Sequence, residues 1–328
     1  MSRAHALPEP LTHGAFHVSV ARGLGVTASR LRARDLSSPT RGVRAASQAG
    51  DTTAGAPNGA RETASSRQQR LRDELIARAR LFAPALTEQQ FFSHDTGLAL
   101  IDAPLPYQRE TQWGLHVSAR RPAGQPRRTG VIGHRLQRRD PAPSEGRGLP
   151  IEHPARLWRQ VAGSWELDDL IAAAEFLVCP RNNLLTLDDL RGELDEAGDL
   201  PGRPLERALR EVRVGAETAE ETKLRLSLTR AGLPEPEINF VLKRADGGFL
   251  ARLDLAYPDY RVAAEHDGRT HAFDETQFAR DADRWDAIRN EGWQHVRVLS
   301  HHMRPDPQVA VERVAQALRA AGWRSSSV

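Results

Sequence analysis

From Glu217 onward the apolar and polar positions alternate with a regularity that the rest of the chain lacks. Glu221, Leu224 and Leu228 recur at i, i+3 and i+7, which puts them on one face of a helix over Thr218–Ala231. Strand-like runs follow at Ile238–Lys243, Phe249–Tyr257 and Tyr260–Asp267, separated by Asp246-Gly247-Gly248 and by Pro258-Asp259, residue pairs that favour tight turns. A helix over Glu275–Glu291 carries Phe278, Ala282, Trp285 and Ile288 or Arg289 as its apolar stripe. A strand over Trp293–Leu299 and a helix over Asp306–Ala321 complete the unit. The predicted order is αβββαβα, an α/β arrangement.

Upstream the pattern is looser. Residues 1–46 read as a small folded unit, 47–66 as a Gly/Ala/Ser/Thr-rich linker with little to bury, 67–214 as a mixed α+β middle domain, and 215–323 as the last domain. The middle region predicts a helix near Gln68–Phe82, strands over Trp113–Ala119 and Gly130–Leu136, and helices over Glu166–Val178 and Thr186–Glu196, with a charge-alternating junction over 201–214. In the first unit a short helix, a turn containing Gly23 and Gly25, and a second helix capped by Thr27 are expected, with Leu31 and Leu36 facing inward. Arg30, Arg32 and Arg34 would give that second helix a basic surface. This is helix-turn-helix logic, in which the second helix enters the DNA major groove.

Composition narrows the classes. A chain of 328 residues holds two or three domains. Apolar residues make up 39%, enough for cores, while a mean hydropathy of −0.54 leaves part of the chain solvated. No apolar run reaches the roughly 18–20 residues of a membrane span. Met1–Pro10 has no apolar segment of the secretory type, so a cytoplasmic protein with no membrane partner is expected. The lone cysteine, Cys179, rules out an internal disulfide and a cysteine-built zinc site. Net charge is only +3 although the isoelectric point is about 9.5, and Lys223 and Lys243 are the only lysines. The positive charge is therefore arginine, which suits bidentate phosphate contacts. Arg120, Arg121, Arg127, Arg128, Arg135, Arg138 and Arg139 crowd one stretch, either as a phosphate-contacting surface or as a solvated loop among Pro122, Gly124, Pro126 and Pro141. His94 and His116 lack the sequence spacing of a metal pair and receive no role.

The candidate chemistry lies in RLDLAYPDYRVAAEHDGRTH. With Pro258 and Asp259 as a two-residue hairpin loop, Asp254 faces Ala263 and Arg252 faces Glu265. Opposed residues share a face and side chains alternate, so Asp254, Glu265 and Asp267 fall on one side of the sheet. Asp254 and Glu265 are then diagonal neighbours, roughly 7–8 Å apart, close enough to share a hard divalent cation such as Mg2+ or Mn2+. Glu221 supplies a third carboxylate from the inward face of the preceding helix, where a metal or Arg225 has to satisfy it. His271 follows four residues after the third strand and would activate water beside the ion. The plainer readings are a salt-bridged or solvated Asp254, a Glu265–Arg252 pair across the hairpin, and a structural hydrogen bond at His271. On the following helix, Asp281 and Arg284 either bridge each other at i, i+3 or place Arg284 as a support for the acidic cluster or as a phosphate contact.

The segment GLPEPEINFVL…FLARLDLAYPDYRVAAEHDGRTH…FARDADRWDAIRNEGWQHVRVLS resembles the endonuclease-like domains related to very-short-patch-repair endonucleases, within the PD-(D/E)XK nuclease superfamily; the likeness covers roughly residues 215–322. That resemblance implies a restriction-endonuclease-like core and Mg2+- or Mn2+-dependent DNA hydrolysis. It sets Asp254 as the metal aspartate of the second strand and Glu265 as the acidic residue of the third. Glu221, in EETKLR, becomes the helix glutamate, and His271 the histidine after Asp-Gly. Where the superfamily's third-strand motif ends in lysine, this chain has Asp267; Lys243 on the neighbouring strand is the substitute on offer. The first 40 or so residues resemble the winged-helix domain of AbiEi-type antitoxins, with RGVRA as the wing strand. FFSHDTGLALIDAPLP and LHVSA resemble the region that accompanies both domains in actinobacterial proteins. Two functions follow: a metal-dependent DNA endonuclease, or a non-catalytic, antitoxin-like DNA-binding regulator that keeps the nuclease fold as a scaffold.

Overall fold

The structure, a computed structural model, describes residues 6–46, 64–107, 113–136, 139, 142, 144–267 and 275–325, for 64 and 275–282 the backbone alone. It divides into two compact units, Met1–Val161 and Ala162–Val328.

The first unit begins with β1 (Ala15–His17), α1 (Val18–Gly23), β2 (Leu36–Ser37) and β3 (Val43–Ala46), the strands lying in the order β1-β3-β2 around Leu11, Phe16, Ala21 and Leu31. The RGVRA segment supplies β3. The expected second helix is not there: among the described residues only a 3₁₀ turn, Arg30–Arg32, follows Thr27. The reason is a competing donor. The Leu31 carbonyl, which a helix would offer to the amide four residues on, accepts from Arg44 Nε at 2.8 Å, and Arg30 is folded back onto Asp35 at 2.8 Å. Thr27 still accepts the Arg30 N–H at 3.3 Å, so the cap signal was genuine, but no helix grows from it.

The same unit continues with α2 (Ala64–Phe82), β4 (Gln90–Phe92), α3 (His94–Leu100), β5 (Leu115–Ala119), β6 (Val131–Arg135), β7 (Ser144–Gly146), β8 (Leu149–Ile151) and α4 (Pro154–Val161). Leu71, Leu75, Ala79 and Phe82 recur at helical spacing on α2 and are all buried. The sheet runs β6-β5-β4-β8-β7, with β5 and β6 parallel and His116 and Ser118 set beside Ile132 and His134.

The second unit opens with α5 (Leu167–Val178), α6 (Leu187–Ala197) and α7 (Pro204–Glu211), so these helices, read above as part of the middle region, belong to the same compact unit as the C-terminal elements. Then come α8 (Ala219–Arg230), β9 (Glu237–Lys243), β10 (Phe249–Tyr257), β11 (Val262–Asp267), α9 (Glu275–Asn290), β12 (Gln294–Leu299), α10 (Ser300–Met303) and α11 (Gln308–Ala320). Apart from the short α10 this is the predicted αβββαβα order. The sheet runs β12-β11-β10-β9, with β11 and β12 parallel and the other pairs antiparallel. One core joins α8, α11 and the sheet through Leu224, Leu228, Leu255, Val262, Val298 and Leu318; another joins α9 to the sheet through Leu253, Ala263, Ile288 and Trp293.

Candidate functional site

The hairpin between β10 and β11 is longer than its sequence suggests. Pro258–Tyr260 form a 3₁₀ turn and Arg261 takes a left-handed φ of +50°, giving a loop of four residues instead of two. Pairing runs Tyr257↔Val262, Ala256↔Ala263 and Leu255↔Ala264, where the ladder ends, two positions off the register of a two-residue loop. Adding two loop residues shifts the pairing, and parity does not fix the face of Asp254: Leu253 and Ala256 pack on the α9 side of the sheet and Leu255 and Tyr257 on the α8/α11 side, so alternation breaks around Asp254. At that break Asp254 departs from a plain ladder: its carboxylate accepts the main-chain N–H of His266.

Asp254 is the electrostatic centre of the site. Burial, then the negative charges of Glu221 and Glu265, push its carboxyl up to about 7, against a weaker pull down from the His266 amide and Arg284. Glu221 is likewise buried, and burial raises it. Carboxylates from α8 and β11 thus both act on Asp254 of β10.

Their individual partners differ from expectation. Glu221 is not held by Arg225. Its Oε1 accepts from the Thr218 hydroxyl at 2.9 Å and its Oε2 from the Glu217 amide at 3.0 Å, while Thr218 caps α8 by accepting the Glu221 N–H at 3.2 Å. Arg225 reaches the other way, to Glu175 on α5 at 2.6 Å. Glu265 does not pair with Arg252, which binds Glu217 at 2.8 Å. Glu265 instead takes Arg284 of α9, with Nη2 on Oε1 at 2.8 Å and Nη1 on Oε2 at 3.4 Å. Arg284 also donates to the Arg252 carbonyl at 2.8 Å, which ties α9 to β10. His295 Nε2 lies 3.1 Å from Glu265 Oε2 but off hydrogen-bond alignment, so the two are close without a formed bond.

Asp267 stands apart from the three. It is paired with Arg297 of β12, whose Nε donates to it at 2.7 Å and whose guanidinium lies over the Trp285 ring. Lys243 is exposed at the far end of β9 opposite Phe249, five positions along β10 from Asp254, on the order of 17 Å at the usual strand rise. It is therefore no stand-in for the motif lysine. His271 and the side chain of Asp281 lie outside the described residues. In the first unit Arg30 is occupied by Asp35, whereas Arg32 and Arg34 are exposed.

A second concentration of chemistry-bearing side chains, which the sequence reading passed over, is His94, His116 and His134 in the first unit. Among the described residues these form the group of three potential metal donors lying within 4.8 Å of one another; the three carboxylates are spread more widely. Burial and the neighbouring rings push His94 down to about 3, and burial lowers His116 and His134. Linear spacing concealed the group, because His116 and His134 share a face only through the parallel register of β5 and β6.

No known protein family matches the chain, and no solved structure matches it. Two uncharacterized proteins of Mycobacterium tuberculosis are similar to it: MT2308 of strain CDC 1551 / Oshkosh and Rv2248 of strain ATCC 25618 / H37Rv. Each is 33% identical over 103 residues, 31% of this chain. The match spans 38% of the length of those relatives. No described helix is long and apolar enough to cross a membrane.

Proposed function

We propose that the C-terminal unit is a divalent-metal-dependent DNA endonuclease whose metal carboxylates are Asp254 and Glu265, with Glu221 beside them. The observation that carries this reading is the state of Asp254. It is a half-buried strand carboxylate near two further carboxylates, and burial first, then their negative charges, push it up to about 7. A cluster of that kind is poorly stabilised by the protein alone, and a dication would offset it. The donors fit Mg2+ or Mn2+ in kind, being hard carboxylate oxygens. They fit less closely in spacing, since Arg284 holds Glu265 and the α8 cap holds Glu221.

In this reading Asp254 and Glu265 bind the ion and Arg284 orients Glu265. When bound, the ion supplies Lewis-acid stabilisation of charge on a phosphodiester. The Glu221 carboxylate, held by Thr218 and Glu217, would add to the negative charge that a dication held by Asp254 and Glu265 would offset. His271 is assigned the water-activating role by resemblance alone. The exposed Arg32 and Arg34 of the first unit are assigned to DNA phosphate.

The second reading, a DNA-binding regulator without catalysis, draws support from one feature. The position of the motif lysine is Asp267, already committed to Arg297, and Lys243 is too far away to replace it. One assay separates the two. Wild-type protein and Asp254→Ala are incubated with supercoiled and mismatched DNA, with Mg2+, with Mn2+ and with chelator. The enzyme reading expects metal-dependent nicking, abolished by chelator and reduced at least about 100-fold by Asp254→Ala, equivalent to ~2.7 kcal/mol of barrier. DNA binding without nicking, alike in both proteins and indifferent to metal, selects the regulator; absence of DNA binding removes both.

A further inference from the structure

The first unit carries a cluster that the nuclease reading does not use. His94 starts α3, His116 lies on β5 and His134 on β6. The parallel register places His116 and His134 on one face, and α3 sets His94 over it, its ring stacked on His134 with centroids 3.8 Å apart. His116 Nδ1 lies 2.9 Å from His134 Nε2. His94 takes φ +50°, an unusual conformation for a side-chain-bearing residue, and one that tends to persist where surrounding structure demands it. The Gln160 side chain accepts its main-chain N–H at 3.1 Å, which helps hold that conformation.

We propose that His94, His116 and His134 form a binding site for one divalent transition ion of the zinc class. Three features support it. First, the donors are imidazoles, which suit Zn2+, Ni2+ or Cu2+ and not Mg2+. Second, the spacing is right. A tetrahedral ion with Zn–N bonds of about 2.0–2.1 Å needs donor atoms roughly 3.3 Å apart. The His116–His134 pair is already at 2.9 Å, and all three donors lie within 4.8 Å. The rings are stacked, with interplanar angles of 8° to 25°, so binding would require them to turn until their nitrogen lone pairs converge.

Third, the outer partners select the donor atoms. The buried Asp95 carboxylate is 3.2 Å from His116 Nε2, which leaves Nδ1, the atom hydrogen-bonded to His134 Nε2, as the ring's donor toward an ion. Ser93 Oγ, 3.0 Å from His94 Nδ1, leaves that ring's Nε2. A carboxylate behind a ligating imidazole fixes its tautomer and orientation. Ser93 in turn accepts from the Ser118 hydroxyl at 2.7 Å, and Thr96 Oγ1 accepts the His116 N–H at 2.8 Å, so helix and strand are registered around the rings. Three protein ligands leave the fourth position of a tetrahedral ion to solvent or a small ligand. Asp95 is a positioning residue acting through His116.

The full-length chain, stripped with chelator, is titrated with Co2+ as the spectroscopic probe and then with Zn2+. The expected result is one equivalent bound, with visible d–d bands of tetrahedral intensity that Zn2+ abolishes and excess Mg2+ does not. His134→Ala, on the edge strand β6, removes the bands, whereas the exposed His301→Ala keeps them. Asp95→Asn keeps the stoichiometry and weakens affinity about 10- to 100-fold. X-ray absorption of the zinc-loaded wild type, which needs no variant to fold, should show a three-imidazole shell. Absence of the bands, bands retained by a folded His134→Ala, or a shell of oxygen scatterers overturns the proposal. None of these results depends on DNA cleavage.

Discussion

Asp254 shows how one residue reports the character of its surroundings. Its carboxyl is pushed from an ordinary 3.8 to about 7 by burial and by Glu221 and Glu265. The folded state therefore holds the proton more tightly than the unfolded one. Stability from this group is fully present below the unfolded value and is lost as pH climbs from near 4 through about 7. Asp254→Asn removes the charge and the loss with it. Melting curves without divalent ions should show the variant more stable than wild type at about pH 8 by several degrees, with the gap closing near pH 4. A gap of unchanged size across that range contradicts the account. Asp267 makes the contrasting case, since a cation answers its charge and its carboxylate belongs to an ion pair with Arg297.

Among elements, α5 and α8 are joined by a buried polar network. Glu175 and Arg225 are both fully buried and pair at 2.6 Å, and Glu175 also accepts the Thr222 hydroxyl and the Arg213 amide, each at 2.6 Å. Burial raises the Glu175 carboxyl while Arg225 and the hydrogen bonds oppose it. Removing one partner strands the other in a dry interior, so Arg225→Leu should lower stability by about 3–5 kcal/mol in urea titrations. Adding Glu175→Leu should recover much of that loss; a double variant as unstable as the sum of the single changes would argue against a coupled pair. The network also holds α8, and through Thr218 and Glu221 the acidic site, against the helices that precede it. On the other side of the site, Arg284 fixes α9 to β10 and β11 through the Arg252 carbonyl and Glu265.

For the whole molecule, the division between Val161 and Ala162 predicts that residues 162–328 fold alone, because α5–α7 complete the unit that holds β9–β12. That fragment, expressed by itself, should unfold in urea in a single cooperative transition, whereas a fragment begun at 215, without Glu175 to meet Arg225, should be markedly less stable or insoluble. A fragment 162–328 that shows no cooperative transition refutes the division. The two candidate sites also separate by unit: hard carboxylates near Asp254 in the second, imidazoles around His116 in the first.

What the amino-acid order determined alone was whatever depends on period and local sterics. The alternation over Phe249–Tyr257, the helical spacing of Leu224 and Leu228, and the Asp-Gly turn were enough for the order αβββαβα. The register of Asp254 and Glu265 was not legible, because the hairpin loop is two residues longer than its sequence suggests and alternation along β10 breaks around Asp254. Tertiary structure decided what depends on which distant group arrives. Arg44 took the carbonyl that a helix after Thr27 required. Glu175, 50 positions away, claimed Arg225, and Arg284 claimed Glu265. The three histidines met through the pairing of two strands and the placement of a helix above them. Periodicity is a property of a few consecutive residues. The choice of a charged partner is a competition across the whole chain, settled only once packing has fixed which groups share a space that water has left.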